Sequence, residues 1–281
     1  MRVFLSHRAE IIVTEQTRSL RRSVIAGGGQ DIAVATIGAG PTMILLHGIG
    51  SSGMSWMPVM TRLADLYRLV IPDLRGHGQS GQPEQGYHLS DYADDLERII
   101  AWSGEPHPLI VGHSLGGLTA ITWAKRHPAQ ASAIVLEDMP LSGGVERAPM
   151  LEGWSQLAAM SVDDVMAYYR QEFPHWSDDD RERRAEVITS THPAVFSEMV
   201  DLAMRGERID YLAGLGSITS PILLIHGDFE SGGLVPAAGA TRFASLGPNF
   251  GAVRIPGGSH SLHRESTEQF LEAMRVFLEG A

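Results

Sequence analysis

Short apolar runs recur along the chain, and most are too brief and too uniformly apolar to be exposed helices. They fall at residues 23–26, 32–37, 42–46, 68–71, 109–111, 133–136, 222–225 and 252–255. Valine, isoleucine and leucine dominate them, and a pleated sheet accommodates such branched side chains well. Between them lie stretches with apolar positions three or four apart, at 56–64, 90–102, 115–126, 236–246 and 265–278. That spacing predicts helices with one buried face. Strand and helix in alternation predict an α/β fold, a mostly parallel eight-stranded sheet flanked by helices on both faces. Ligands of such sheets bind at the carboxyl ends of the strands.

The alternation fails over residues 140–216. This segment keeps helical periodicity and carries a stretch of mixed charge at 177–186, but shows no convincing strand. The strand pattern resumes after Pro221. The expected organisation is therefore a core made of residues 1–139 and 217–281, with a helical cap over 140–216 inserted into it. The first twenty or so residues fit either an edge strand or an arm.

Candidate chemistry sits at the predicted strand ends. Gly112-His113-Ser114-Leu115-Gly116 follows an apolar run and leads into a helical stretch. A G-x-S-x-G sequence between strand and helix predicts a sharp turn with the serine hydroxyl exposed at its tip. Ser114 then needs a base. His260 is the candidate, because it stands in a loop between the last predicted strand and the last predicted helix. His263, in the same loop, is the fallback base and is otherwise expected to pack or to cap the following helix. The base needs a carboxylate partner, and two positions offer one. Asp138 ends the sixth predicted strand and is the first choice; Glu230, in the expanded loop after the seventh, is the alternative. An oxyanion needs two N–H donors. Leu115, at a helix start, and Ile49, in His47-Gly48-Ile49-Gly50 after the third strand, are the expected pair.

Weaker signals surround these. Asp73 and Arg75 are expected to brace the turn at 73–80 by pairing with each other. Trp154, Met160, Met166, Tyr168, Tyr169, Phe173 and Trp176, with Met54 and Trp56, could line an apolar pocket or simply pack. No His, Asp or Glu grouping has the spacing of a metal site.

Composition narrows the partners. The 281 residues carry 33 acidic and 22 basic side chains, a net charge of −11. Nucleic acids and anionic membranes attract basic surfaces, so neither is expected as a partner, whereas a small-molecule substrate is. The chain has no cysteine, which excludes disulfides, thiolate metal sites and a cysteine nucleophile. No run approaches the ~18 apolar residues of a spanning helix, and no long apolar signal core opens the sequence. A cytoplasmic location is the expectation, and a homodimer is compatible with the chain.

Four ordered blocks, 47–50, 73–80, 112–116 and 257–265, together give the chain a resemblance to α/β-hydrolase fold proteins that runs from about residue 23 to the end. The resemblance implies a Ser-His-acid hydrolase without a cofactor, with a helical cap between strands six and seven. It is nearest in kind to carboxylesterases and acetamidomethylenesuccinate hydrolase-like members. Some members, including lactone, dehalogenase and acetamidomethylenesuccinate hydrolases, take their acid from the position matching Asp138. Serine at 114 departs from dehalogenases and epoxide hydrolases, which use aspartate there. The expected activity is hydrolysis of a carboxylic ester, amide or lactone of a small, partly apolar substrate through an acyl-enzyme. The alternatives are hydrolysis of a carbon–carbon bond in a ring-cleavage product and a non-catalytic small-molecule receptor on the same fold.

Overall fold

The computed structural model describes residues 19–174, 176–204 and 209–280. The edge strand or arm considered for the first residues lies outside them, apart from its last two positions. Three strands open the fold: β1 (Arg21–Ile25), β2 (Ile32–Ile37) and β3 (Thr42–Leu46). Helix α1 (Met57–Leu63) leads to β4 (Arg68–Pro72), α2 (Leu89–Ser103) to β5 (Leu109–His113), and α3 (Leu115–Arg126) to β6 (Ala133–Glu137). The sheet is completed by two later strands, β9 (Ile222–His226) and β10 (Phe250–Arg254), and carries the order β1-β2-β4-β3-β5-β6-β9-β10. From β4 onward its neighbours run parallel, while β1 and β2 are antiparallel.

Strand β3 shows why the sheet forms. All five of its residues are buried. Met43 and Leu45 point into one core with Trp56, Phe270 and Met274, and Ile44 and Leu46 point into the other with Leu96, Ile121 and Trp123. Successive side chains of a strand face opposite ways, so a strand covered on both faces must be apolar throughout.

Between β6 and the resumed sheet lies a helical segment. A two-residue strand β7 (Ser142–Gly143) precedes α4 (Ala148–Ala158), α5 (Val162–Glu172), α6 (Asp178–Thr189) and α7 (Ala194–Met204). A second two-residue strand, β8 (Ile209–Asp210), pairs antiparallel with β7. The sequence predicts no strand here; these two are too short to leave a periodic trace, and they fasten the two ends of the segment together. Ser161 and Ser177 cap α5 and α6 by accepting the N–H groups of Asp164 (3.2 Å) and Asp180 (3.1 Å), the usual answer to the unpaired donors of a first turn.

The core resumes with β9 (Ile222–His226), α8 (Ala237–Ala244) and β10 (Phe250–Arg254). The last predicted helix forms almost as expected, and an extra helical turn precedes it. A short turn, α9 (Leu262–Glu265), is followed by α10 (Thr267–Gly280), with Ser266 between them at φ −133°. Among the described residues no helix is long and apolar enough to cross a membrane.

Candidate active site

The register of the central strands decides where the chemistry lies. In the ladder between β5 and β6, His113 stands opposite Glu137. The next residues, Ser114 and Asp138, therefore leave the sheet side by side. Ser114 N–H donates to the Glu137 carbonyl (3.0 Å), and Asp138 N–H donates to that of Ile225 on β9 (2.8 Å). Both residues then turn sharply. Ser114 has φ 50° and Asp138 φ 40°, and among the described residues these are the two non-glycine positions with positive φ. Such backbone costs about 1–3 kcal/mol per residue and persists where the surroundings enforce it. At Ser114 the surroundings are close-packed backbone: a Cβ on Gly112 would overlap the peptide of Gly116, and one on Gly116 would overlap the carbonyl of Leu46. The glycines of the G-x-S-x-G sequence are thus sterically required.

The His260 imidazole meets Asp138. Its Nδ1–H donates to Asp138 Oδ2 at 2.7 Å, and the same oxygen accepts the backbone N–H of Leu234 at 2.8 Å. The Asp138 side chain is fully enclosed, while that of His260 keeps 27% of its surface open. Glu230, the alternative carboxylate, is exposed on the turn Phe229–Ser231 and makes no bond to His260. Its loop contributes the Leu234 N–H to Asp138 instead. Asp228 of that loop braces it, accepting from Gly257 N–H (2.7 Å) and pairing with Arg254 (2.8 Å).

The loop holding Ile49 is held by two buried histidines. His47 Nδ1–H donates to the Gly48 carbonyl (2.8 Å), and its Nε2 accepts Leu74 N–H (2.9 Å). His77 Nδ1–H donates to the Arg75 carbonyl (2.8 Å), and its Nε2 accepts Gly50 N–H (3.1 Å). Each ring serves as donor and acceptor at once, which requires the neutral form. Burial enforces that form, pulling His47 down to about 4 and His77, with the added charge of His47, to about 3. The loop they fix runs close to Ser114: a Cβ built on Gly48 would stand 3.4 Å from the Ser114 Cβ. No acceptor among the described residues takes the Ile49 N–H, and the Leu115 N–H lies in the first turn of α3, where a helix has no internal acceptor.

A cavity opens beside these groups. Ser114, Ile49 and Leu115 line it, together with Leu89, Leu118, Pro140, Trp154, Met199 and Leu234. His260 does not line it, and the Ser114 hydroxyl is not bonded to His260. The nucleophile–base contact of such sites commonly closes only around a substrate. The two residues are linked through His113, whose Nε2–H donates to the His260 carbonyl (2.9 Å) and whose ring centroid lies 4.5 Å from that of His260.

Several expectations need correction. Of the helical-segment residues considered for the pocket, Trp154 lines the cavity. Tyr169, Phe173 and Trp176 pack on one another instead, with the last two stacked at 4.2 Å. Met160 and Tyr168 are exposed, and Met166 is buried in the core. Trp56 is buried beneath the sheet end against His263, at 4.3 Å between ring centroids, and Met54 packs on that same core. Asp73 and Arg75 do not pair. Asp73 turns back to accept Gly53 N–H (2.8 Å) and Gln79 N–H (2.9 Å), which frees Arg75 to bond Asp95 on α2 at 2.7 Å. Of the two structural expectations for His263, packing is the one realised: it is buried against Trp56 and Glu137, its Nδ1 2.8 Å from both carboxylate oxygens. Sequence reasoning missed the roles of His113, Glu137, His47 and His77. The paired spacing of Glu137-Asp138 against His260 and His263 was the one available hint.

Among the described residues no group of three or more His, Asp or Glu side chains could hold a metal ion.

An eight-stranded, mostly parallel sheet with a strained serine turn after its central strand defines a class, and the α/β-hydrolase fold family matches residues 41–185, more than half of the chain. The chain belongs to that family and is an α/β hydrolase. It is 32% identical over 251 residues to the 2-(acetamidomethylene)succinate hydrolase of Mesorhizobium japonicum, covering 86% of this chain and 90% of that one. A crystal structure of E-2-(acetamidomethylene)succinate hydrolase superposes with a TM-score of 0.75 at 30% identity, covering 93% and 99% of the two chains. The pimeloyl-[acyl-carrier protein] methyl ester esterase of Aeromonas hydrophila is 28% identical over 260 residues, covering 88% and 99%.

Proposed function

We propose that the protein is a serine hydrolase of a carboxylic ester, amide or lactone, working through an acyl-enzyme without a cofactor. Ser114 Oγ attacks the carbonyl carbon while His260 takes the hydroxyl proton. Asp138 holds the imidazole by its Nδ1–H and stabilises the positive charge that develops there. The N–H groups of Ile49 and Leu115 receive the oxyanion. Preorganised donors of this kind are worth about 2.7–4 kcal/mol each. His260 then protonates the leaving alcohol or amine. Water, deprotonated by the same imidazole, releases the acyl group. The segment over 140–216 acts as the cap of the site, since α4 and α7 supply Leu151, Trp154 and Met199 to the cavity wall.

The observation that carries this reading is the 2.7 Å bond from His260 to an enclosed Asp138, made one strand away from a serine with φ 50°. The likeness to a 2-(acetamidomethylene)succinate hydrolase and to a methyl ester esterase supports the reaction class. A fluorophosphonate probe tests it. Stoichiometric labelling that maps to Ser114 and is absent from Ser114→Ala is expected. Labelling at another residue, or none, overturns the proposal.

A further inference from the structure

The cavity wall is largely apolar, and among its polar residues one charged side chain, Arg147, is used neither by the proposed chemistry nor by a carboxylate of the fold. Arg147 lines the cavity from the short turn Val145–Arg147, just before α4. Its Nε–H donates to the carbonyl of Ser142 at 3.1 Å, which ties the guanidinium to β7 at the base of the helical segment. No carboxylate of the described residues pairs with it. Its neighbours are accounted for otherwise. Both oxygens of Glu198, the one acidic residue of the cavity wall, accept backbone N–H groups, from Gly86 and Tyr87, each at 2.8 Å, and His88 stands 3.8 Å from one of them. The Glu146 carboxylate turns back onto Gly144. The Tyr211 phenol lies against Gly143 on the same wall and feels the charges of both Arg147 and Glu146.

A guanidinium stays charged at any working pH and presents paired donors that match a carboxylate. Facing a largely apolar cavity without a carboxylate of its own, it rewards a ligand that brings one and penalises a neutral ligand that covers it. Tyr211 adds a hydroxyl that can donate to the same group. We propose that Arg147 is a specificity-determining residue that binds a carboxylate of the substrate, so that the preferred substrates are small esters or amides carrying a free carboxylate apart from the scissile carbonyl. The inference rests on the reading of Ser114 as the acyl-accepting residue.

The test compares two pairs of substrates matched for size. One pair is p-nitrophenyl hemiglutarate and p-nitrophenyl pentanoate, with the charge on the acyl side. The other is a butyryl ester of glycolate and butyl butyrate, with the charge on the leaving side. For at least one pair the wild-type protein should show a kcat/KM ratio, charged over neutral, above one. Arg147→Gln should lower that ratio about 30-fold, the size of one charge-assisted contact, and Arg147→Lys should restore part of it. The ratio is insensitive to the fraction of protein that folds. A ratio at or below one for both pairs, or a ratio that Arg147→Gln leaves within about threefold, overturns the proposal. Calorimetric titration of Ser114→Ala with glutarate separates this result from the reaction itself. Binding that Arg147→Gln weakens by a similar factor supports the carboxylate site even if Ser114→Ala still turns over esters, an outcome that would refute the nucleophile alone. Glutarate affinity unaffected by Arg147→Gln refutes the carboxylate site.

Discussion

Two histidine–carboxylate pairs lie next to each other at the carboxyl edge of the sheet, and they differ in almost nothing except access. Asp138 and Glu137 are consecutive, and both side chains are fully enclosed. His260 and His263 are three residues apart, with Nδ1 at 2.7 Å and 2.8 Å from their respective partners. The His260 side chain keeps 27% of its surface, whereas His263 keeps 1% and is sealed between Trp56 and Phe270. Its Nε2 is buried without a hydrogen-bond partner. An imidazole that exchanges protons with a substrate needs a reachable second nitrogen. His263 has none, so its pair can only brace the loop that carries His260. On the proposed reading, the same pairing of residue types is catalytic or structural according to what covers it.

The comparison breaks most visibly in turnover. His260→Ala should lower kcat by about 10⁴-fold or more, since triad members act as a unit, while its thermal midpoint stays near that of the wild type. A variant with both normal turnover and normal folding would remove His260 from the mechanism. Asp138→Asn should follow, with a loss of about 10³–10⁴-fold as the imidazole tautomer is no longer fixed. Glu230→Gln, measured beside it, should stay within about twofold, the range of an exposed side chain away from the chemistry. If the two losses are reversed, the acid has been misassigned.

How far the sequence revealed this site depends on the kind of interaction. The strands β3, β5, β6 and β9 are wholly buried, so their apolar runs stand out. The serine turn is legible because Gly112 and Gly116 are demanded by backbone packing that nothing larger permits. The choice between Asp138 and Glu230 is only partly legible, because each follows the carboxyl end of a strand. What separates them is register, together with the Leu234 N–H that Asp138 accepts, and a backbone donor leaves no mark on composition. His47 and His77 were invisible as loop clamps for the same reason: their partners are peptide groups. The β7–β8 pairing escaped because two residues carry no period. Asp73 and Arg75 mislead because nearness in sequence does not decide which charges meet: Arg75 reaches α2.

The structural pair breaks in stability and not in chemistry. His263→Ala leaves Glu137 buried with only the backbone N–H of residue 263 to bond it. Removing one partner of a buried pair costs about 3–5 kcal/mol. Urea unfolding at pH 8, where Glu137 is most in need of a partner, should show a loss of that order, while kcat per folded molecule falls by less than it does in His260→Ala. A stable His263→Ala with kcat reduced as far as His260→Ala would mean that the two histidines share the catalytic task.

The smallest effect sharpens the comparison by pH. Burial raises the Glu137 carboxyl from 4.5 to about 7, against the pull of His113, the His263 N–H and His260. A carboxyl whose folded value lies above its unfolded one contributes stability that is complete below about 4.5 and is lost as pH rises through about 7. Within that window the unfolded chain releases a proton that the folded one retains, at up to about 1.4 kcal/mol per pH unit. The buried histidines His47, His77, His113 and His263 act with the opposite sign: all are held below 6.5, so they weaken the fold as pH falls. Glu137→Gln removes the carboxyl and keeps every histidine, so the histidine contributions largely cancel when the two proteins are compared. The thermal midpoint of Glu137→Gln minus that of the wild type should therefore climb between pH 5 and pH 7.5, whatever its starting sign. A difference that is flat or falling would show that Glu137 is ionised throughout. The inner carboxylate would then be an anion held by a neutral His263, as Asp138 is by His260, and access alone would distinguish the two pairs.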